Sequence, residues 1–83
     1  MWSVYLIRHS SGEIYIGVTN NLKRRIYEHN SGGQTATVRR EGSWKLIYAE
    51  AYSNKLDAYR REARLKDHGR AKQELMRRIQ NCL

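Results

Sequence analysis

The stretch SVYLIRHSSGEIYIGVTNNLKRRIYEH, residues 3–29, contains two short apolar runs, a turn between them and a basic segment after them. Both runs are rich in β-branched and aromatic residues, and the Ser-Ser-Gly sequence between them is typical of a turn. The pattern predicts an antiparallel hairpin with strands at residues 2–7 and 13–18. In the second strand, Tyr15 and Gly17 would lie on one face and the aliphatic residues around them on the other.

The basic segment predicts a helix over residues 22–30, which the preceding Thr-Asn-Asn sequence would cap. Leu22 and Ile26 form its apolar stripe. Arg25 and His29 stand one turn apart on a neighbouring stripe, so both side chains can face the same cleft. Two strands that each present a tyrosine, followed by a helix that presents a cation and an imidazole, indicate one side of an active site.

The next part of the chain predicts a loop and a third strand. Residues 34–43 have the composition of a basic surface loop. Residues 44–52 alternate as a strand, which would place Trp44, Leu46 and Tyr48 on one side of the sheet.

The C-terminal part predicts two further helices. A Ser-Asn pair caps the first of these, which should run to about His68 with Gly69 as its C-terminal cap. The last helix should begin two residues later and place Leu75, Ile79 and Leu83 in the core at helical spacing.

The order β-β-α-β-α-α predicts an α+β fold in which a three-stranded antiparallel sheet is flanked by helices, as a single domain over residues 1–83. The net charge of +8 predicts attraction to polyanions, nucleic acid above all. No apolar run is long enough to span a membrane. The single cysteine and the absence of a secretory signal at the N-terminus predict a cytoplasmic protein, with a monomer favoured. No zinc-ligand spacing joins the histidines to the cysteine, at positions His9, His29, His68 and Cys82.

The two tyrosines and the residues after them resemble the GIY-YIG nuclease superfamily, and in particular its small single-domain bacterial branch. The similarity covers most of the chain and is carried by Val4-Tyr5, Tyr15-Ile16-Gly17, the run NLKRR with His29, and the later run REARLK. Related proteins by this resemblance include homing endonucleases, the incision subunit of bacterial excision repair and some restriction enzymes. The resemblance implies a metal-dependent endonuclease that hydrolyses phosphodiester bonds in DNA, such as structured or damaged DNA.

The resemblance also implies a role for each site residue. Glu62 would bind the divalent metal, Mg²⁺ or Mn²⁺, because one carboxylate suits an ion that keeps several waters and is completed by the phosphate. Arg25 would hold the scissile phosphate with its forked guanidinium. Tyr5 or Tyr15, with Tyr5 preferred, would orient or deprotonate the attacking water, which requires a phenol pKa well below its usual value of about 10. His29 would position or shuttle a proton.

Further residues are expected around this site. Gly17 would keep the second strand close to the substrate. The residues expected to bind nucleic acid are Lys23, Arg24, Arg39, Arg40 and Lys66. The chain has Ser3 where many members have Gly, and Lys72-Gln73-Glu74-Leu75 where many larger members have an asparagine that bears on completion of the metal site.

Each of these residues also has a structural alternative. The tyrosines could be half-buried strand residues, and Arg25 and His29 could lie on an exposed helix face. Glu62 could form an intrahelical ion pair with Lys66. For the function, the main alternative is a non-catalytic nucleic-acid-binding module on the same fold, and a third is a protein-interaction subunit that borrows specificity from a partner.

Overall fold

The computed structural model describes residues 1–31, 42–67 and 69–83. The elements follow the predicted order, which confirms the α+β class. In chain order they are β1 (Trp2–His9), β2 (Ile14–Thr19), α1 (Leu22–Asn30), β3 (Trp44–Tyr52), α2 (Lys55–Lys66), α3 (Arg70–Arg78) and a short 3-10 turn (Gln80–Cys82). Among the described residues, none of the helices has both the length and the apolar character needed to cross a membrane.

The three strands form one antiparallel sheet in the order β2-β1-β3, so β1 is the central strand. The hairpin between β1 and β2 closes at Gly12, whose φ of +98° lies in the left-handed region that glycine adopts without a steric cost. Its N–H donates to the carbonyl of His9 at 2.8 Å, and the His9 N–H donates to the carbonyl of Glu13 at 2.8 Å. The predicted hairpin is therefore confirmed.

The two faces of the sheet are buried by different helices. Val4 and Leu6 of β1 pack with Ile16 against α2 and α3, and this is the larger part of the core. Tyr5 and Ile7 point to the other face, where they pack beside α1. The alternation predicted for β2 is confirmed, because its aliphatic residues join the first cluster and its tyrosine joins the second.

The alternation predicted for β3 is wrong because a β-bulge interrupts this strand. Tyr48 lies opposite Leu6 whereas Leu46 lies opposite Ile7, so one residue of β3 is left over between them. The extra residue reverses which face the following side chains occupy. Trp44 therefore packs on the α1 face and Tyr48 on the α2 and α3 face, instead of sharing a side.

The boundaries of the last two helices also differ from the prediction. Helix α2 ends at Lys66, because Asp67 is extended with φ −66° and ψ 153°. Gly69 is the N-cap of α3 and not the C-cap of α2, and His68 lies outside the described residues. Leu75 and Ile79 are buried as predicted, whereas Leu83 is exposed because α3 ends before it.

Candidate active site

Tyr5 occupies the middle of the sheet face that α1 covers, and its side chain is fully buried. In the β1–β2 ladder it lies directly opposite Gly17. A Cβ built on Gly17 would lie 2.5 Å from the Tyr5 hydroxyl oxygen, closer than any atom can approach without a shift. Gly17 is therefore required because it leaves room for the phenol to lie across β2.

His29 lies in the last turn of α1 and contacts the same phenol. Its Nε2 atom is 2.9 Å from the Tyr5 hydroxyl, and its side chain is only 1% exposed. The Tyr15 ring packs beside it, with the two ring centroids 4.8 Å apart. The alternative that His29 lies on an exposed helix face is wrong.

The end of α1 that carries His29 is fixed to β3 by the next residue. The Asn30 side chain accepts a hydrogen bond from the Trp44 N–H at 2.7 Å and donates one to the Trp44 carbonyl at 3.0 Å. At the other end of α1, Asn21 is the N-cap, as predicted, and its side-chain oxygen accepts from the Arg24 N–H. The helix is thus anchored at both ends, which fixes the position of the imidazole.

Arg25 lies one turn before His29 and is partly open to solvent, with its side chain 31% exposed. Its guanidinium lies close enough to the Tyr5 phenol for each group to shift the pKa of the other, and it forms an ion pair with Glu28, with Nη1 and Oε1 3.3 Å apart. Arg25 and His29 therefore both lie near the Tyr5 phenol, and their shared role in one cleft stays a prediction.

Glu62 lies on α2, which packs mainly on the face of the sheet opposite to Tyr5. The helix buries Ala58 and Leu65 against that face, and it also contacts the edge strand β2. The next stripe of α2 carries Glu62 and Lys66 toward the tyrosines. The Lys66 ammonium lies 3.2 Å from the Glu62 carboxylate and 5.9 Å from the centre of the Tyr15 ring. The intrahelical ion pair considered for Glu62 is therefore present, and the same carboxylate also lies close enough for its charge to act on the Tyr5 phenol.

The protonation states follow from this packing. Burial raises the pKa of the Tyr5 phenol to about 12, although the hydrogen bond from Arg25 opposes the rise. The expectation of a phenol pKa below 10 is therefore wrong for Tyr5, because burial disfavours the phenolate. Burial and the charge of Arg25 lower the pKa of His29 below its ordinary value, so its imidazole is neutral at pH 7. The hydrogen bond to Tyr5 raises the pKa of Arg25, which stays charged.

The family model of the GIY-YIG catalytic domain matches residues 1–76. The chain belongs to the GIY-YIG family. This is a nuclease-type family. The residues around Tyr5 come from β1, β2, α1 and α2, which are the same segments that carried the resemblance in the sequence.

Several relatives of this GIY-YIG domain carry the description UPF0213 protein. One from Vibrio campbellii is 37% identical over 75 residues, covering 90% of this chain and 72% of that protein. One from Halobacterium salinarum is 37% identical over 76 residues, covering 92% of this chain and 99% of that protein. The solution NMR structure of a UPF0213 protein from Bacillus halodurans is similar, with 32% identity, a TM-score of 0.55, and coverage of 92% of this chain and 82% of that one.

The donor set of the GIY-YIG site suits a hard cation bound through one carboxylate. Within the parts of the chain that the structure describes, no group of three or more His, Cys, Asp or Glu side chains lies together. This excludes a zinc-type cage there but not Mg²⁺, which retains waters and takes ligands from substrate phosphates. Glu62, which forms an ion pair with Lys66, is the acid whose charge acts on the Tyr5 phenol.

The residues expected to bind nucleic acid are only partly gathered at this site. Lys66 lies beside Tyr15 and Glu62, whereas Lys23 and Arg24 are exposed on the side of α1 turned away from the sheet. Arg39 and Arg40 lie outside the described residues.

Sequence reasoning did not find a second polar cluster, which lies on the opposite face of the sheet. Glu50 accepts hydrogen bonds from the hydroxyls of Tyr48 at 2.5 Å and Tyr52 at 2.6 Å, and from Nε of Arg61 at 2.6 Å. Burial alone would raise the pKa of Glu50, but these three donors outweigh it and the pKa is lowered. The alternation Tyr-x-Glu-x-Tyr in β3 could have revealed that the three side chains share a face.

Proposed function

We propose that this GIY-YIG domain is a metal-dependent endonuclease that hydrolyses phosphodiester bonds in DNA. The observation that carries the proposal is the convergence on one hydroxyl: Tyr5 contacts His29 at 2.9 Å and Arg25, beside the carboxylate of Glu62. Phosphodiester hydrolysis needs a deprotonated water, stabilisation of the phosphoryl charge and stabilisation of the leaving oxygen. A phenol with an imidazole, a guanidinium and a carboxylate that can hold a cation match these three needs.

Arg25 would bind the scissile phosphate. Its side chain is partly exposed, so a substrate can reach the guanidinium, which lies near the Tyr5 phenol. A guanidinium donates two parallel hydrogen bonds to phosphate oxygens, which orients the phosphorus as well as neutralising its charge.

Tyr5 and His29 would remove the proton from the attacking water together. With a pKa of about 12, the Tyr5 phenol does not lose its proton to solvent near neutral pH. Its hydroxyl is fully buried in the free protein, so a bound substrate must first open a path to it. It would then take a proton from water only as its own proton passes to Nε2 of His29, which needs that imidazole to be neutral with its proton on Nδ1. The lowered pKa of His29 supports this state. The hydroxide that results would attack phosphorus as the bond to the leaving oxygen breaks. The leaving oxygen would take a proton from solvent, and His29 would then release the transferred proton to solvent.

Glu62 would hold the metal ion, with Lys66 beside it to contact an adjacent phosphate. The cation supplies Lewis-acid stabilisation of the phosphoryl and leaving oxygens when it is bound. DNA is proposed as the substrate because the homologues implied by the sequence resemblance act on DNA.

The proposal is tested by a cleavage panel of single-stranded, duplex, flap and junction DNA with matched RNA, in Mg²⁺, in Mn²⁺ and in EDTA. Wild-type protein should cut at least one DNA substrate in the presence of metal. Glu62→Gln and Tyr5→Phe should each lower the rate by about 10²-fold or more, because each removes a group that acts in the reaction.

Asp57→Asn is the matched control for Glu62→Gln, because it removes one carboxylate from the exposed first turn of the same helix. It should cut like wild type. Absence of metal-dependent cleavage on every substrate would refute the nuclease. If such a protein still bound DNA equally well with and without Mg²⁺, the non-catalytic module would be the correct function.

A further inference from the structure

A cleft between α2 and α3 is lined by arginines and is separate from the site around Tyr5. Its volume is about 360 Å³, at the low end of the range for ligand sites. Four basic residues and one acid contribute charge to its walls, namely Arg61, Arg64, Arg70, Arg78 and Glu74. We call this the arginine cleft. Within the described ranges of the chain, Arg64, Arg70 and Arg78 form no ion pair with an acidic side chain.

One wall of the arginine cleft is fixed by the polar cluster on β3. Arg61 donates from Nε to Glu50 at 2.6 Å, and Glu50 is itself held by two tyrosine hydroxyls. The Arg61 side chain is therefore ordered without a ligand, which lowers the entropy that a bound anion would have to overcome.

The arginine cleft also receives the start of α3. Arg70 is the first residue of this helix, and the N-cap Gly69 offers no side chain to accept from the first-turn N–H groups. Those groups and the helix dipole favour an anion at this end of the helix. Since the arginines remain charged throughout the physiological pH range, their mutual repulsion destabilises the ligand-free cleft, and an anion would relieve it.

We propose that the arginine cleft binds phosphate groups of a nucleic-acid backbone at a point distinct from the cleavage site. Arginine forks match the geometry of phosphate oxygens, and an open basic cleft accepts a continuous strand. The choice of nucleic acid as the polyanion rests on the proposed function. The binding itself does not, because it can be measured without cleavage.

The geometry of α2 specifies which nucleic acid would engage both sites. Successive helix residues are rotated by about 100°, so Arg64 lies nearly opposite Glu62 around α2. Arg25 itself lies on α1, and because α1 and α2 cover opposite faces of the sheet, the sheet separates a phosphate in the cleft from one at Arg25. One short straight strand cannot reach both, whereas a flap or a junction can place a different arm on each side. The inference is thus that the substrate class is branched nucleic acid.

The test measures binding in EDTA, where no cleavage occurs, to a flap DNA and to a single strand of equal length across a salt series. The cleft variant is Arg64→Gln with Arg78→Gln. The control is Arg60→Gln with Arg77→Gln, two exposed arginines on the same helices that do not line the cleft. Both double variants remove the same charge and exchange residues of similar helix propensity.

We expect the cleft variant to lose at least tenfold in affinity for flap DNA and to reduce the slope of log K against log salt by about 2, one for each phosphate contact. The control should lose less than about threefold, and the two variants should differ less on the single strand. Glu74→Gln should tighten binding to flap DNA more than Asp57→Asn, since it removes the acid from the cleft. Thermal melts check that each variant is folded, and the single variants Arg64→Gln and Arg78→Gln replace the cleft variant if it is not, with an expected slope change of about 1 each and Arg60→Gln as the matched control.

Equal losses in the two double variants would overturn the proposal, because they would reflect net charge alone. Inorganic phosphate could also raise the melting temperature of wild type and the control but not of the cleft variant. Together with equal losses of DNA affinity, that result would assign the cleft to a free phosphate ion and would also overturn the proposal. A protein that cuts nothing but shows the cleft-specific loss would refute the nuclease and retain the cleft.

Discussion

Replacing Gly17 with alanine should destabilise the protein by driving a methyl group into the Tyr5 ring. The new Cβ would lie 2.5 Å from Oη, 2.6 Å from Cζ and 2.8 Å from Cε1 of that residue, whereas ordinary contacts begin at 3.4 Å. The ring must therefore move by about 0.9 Å, the difference between 3.4 and 2.5 Å. It cannot move freely, because Tyr5 is fully buried and the Tyr15 and His29 rings pack together beside it.

Overpacking of this kind costs about 1–3 kcal/mol, a large part of the stability of so small a domain. The cost of the clash can be separated from the backbone effect of Gly→Ala by making the same substitution in a Tyr5→Leu protein. In Tyr5→Leu the ring atoms that collide are absent. There Gly17→Ala should stabilise the strand by about 0.5 kcal/mol, because alanine loses less backbone entropy than glycine on folding.

The measurement is urea unfolding of the four proteins of this double-mutant cycle, followed by circular dichroism. A coupling free energy above about 1 kcal/mol between positions 5 and 17 is expected. If Gly17→Ala has the same effect in both backgrounds, the space occupied by the phenol is not the reason for glycine at this position. In cleavage assays the substitution should also slow the reaction by about 10²-fold, since it displaces the hydroxyl by close to 1 Å.

Two further predictions concern ionisable groups, one partly buried and one buried. Glu50→Gln should lower the free energy of unfolding at pH 7 by about 1–3 kcal/mol, measured in urea, because it weakens hydrogen bonds from three donors. The control Asp57→Asn should lower it clearly less. Equal losses in the two variants would contradict a stabilising role for the Glu50 cluster. Because the folded state lowers the pKa of His29, stability should be complete above about pH 6.5 and should fall as the pH drops through the lowered pKa, since the unfolded chain binds the proton more readily. The free energy of unfolding should therefore fall more between pH 7.5 and pH 5.5 in wild type than in His29→Gln. An equal fall in the two proteins would refute this role of His29.

The sequence predicted the hairpin, α1 and the placement of its polar residues because these depend on local patterns. The Thr-Asn-Asn cap fixes the start of α1, and the spacing of Arg25 and His29 fixes their common direction. The bulge in β3 was not predictable from alternation, because the residues on both sides of it are apolar and fit either face. The role of Gly69 was missed because glycine is common both after one helix and before the next.

The protonation of the site could not be predicted from residue types. A tyrosine proposed to act on water suggests a lowered pKa, but the value depends on burial, which only the packing of α1 on the sheet determines. The Glu50 cluster and the arginine cleft were missed for a related reason. Their members come from β3, α2 and α3 and meet only when these elements pack together.

Helix α2 links the two sites because Arg61 and Glu62 are consecutive residues that face different sides of it. Deleting one residue from the first turn of α2 would turn every later side chain by about 100° and would misalign Glu62, the proposed metal ligand, and the arginine cleft together. Length changes in this family should therefore accumulate in the loops and spare this helix. A library of single-residue insertions along the gene would show that constraint as a gap in tolerated positions over α2.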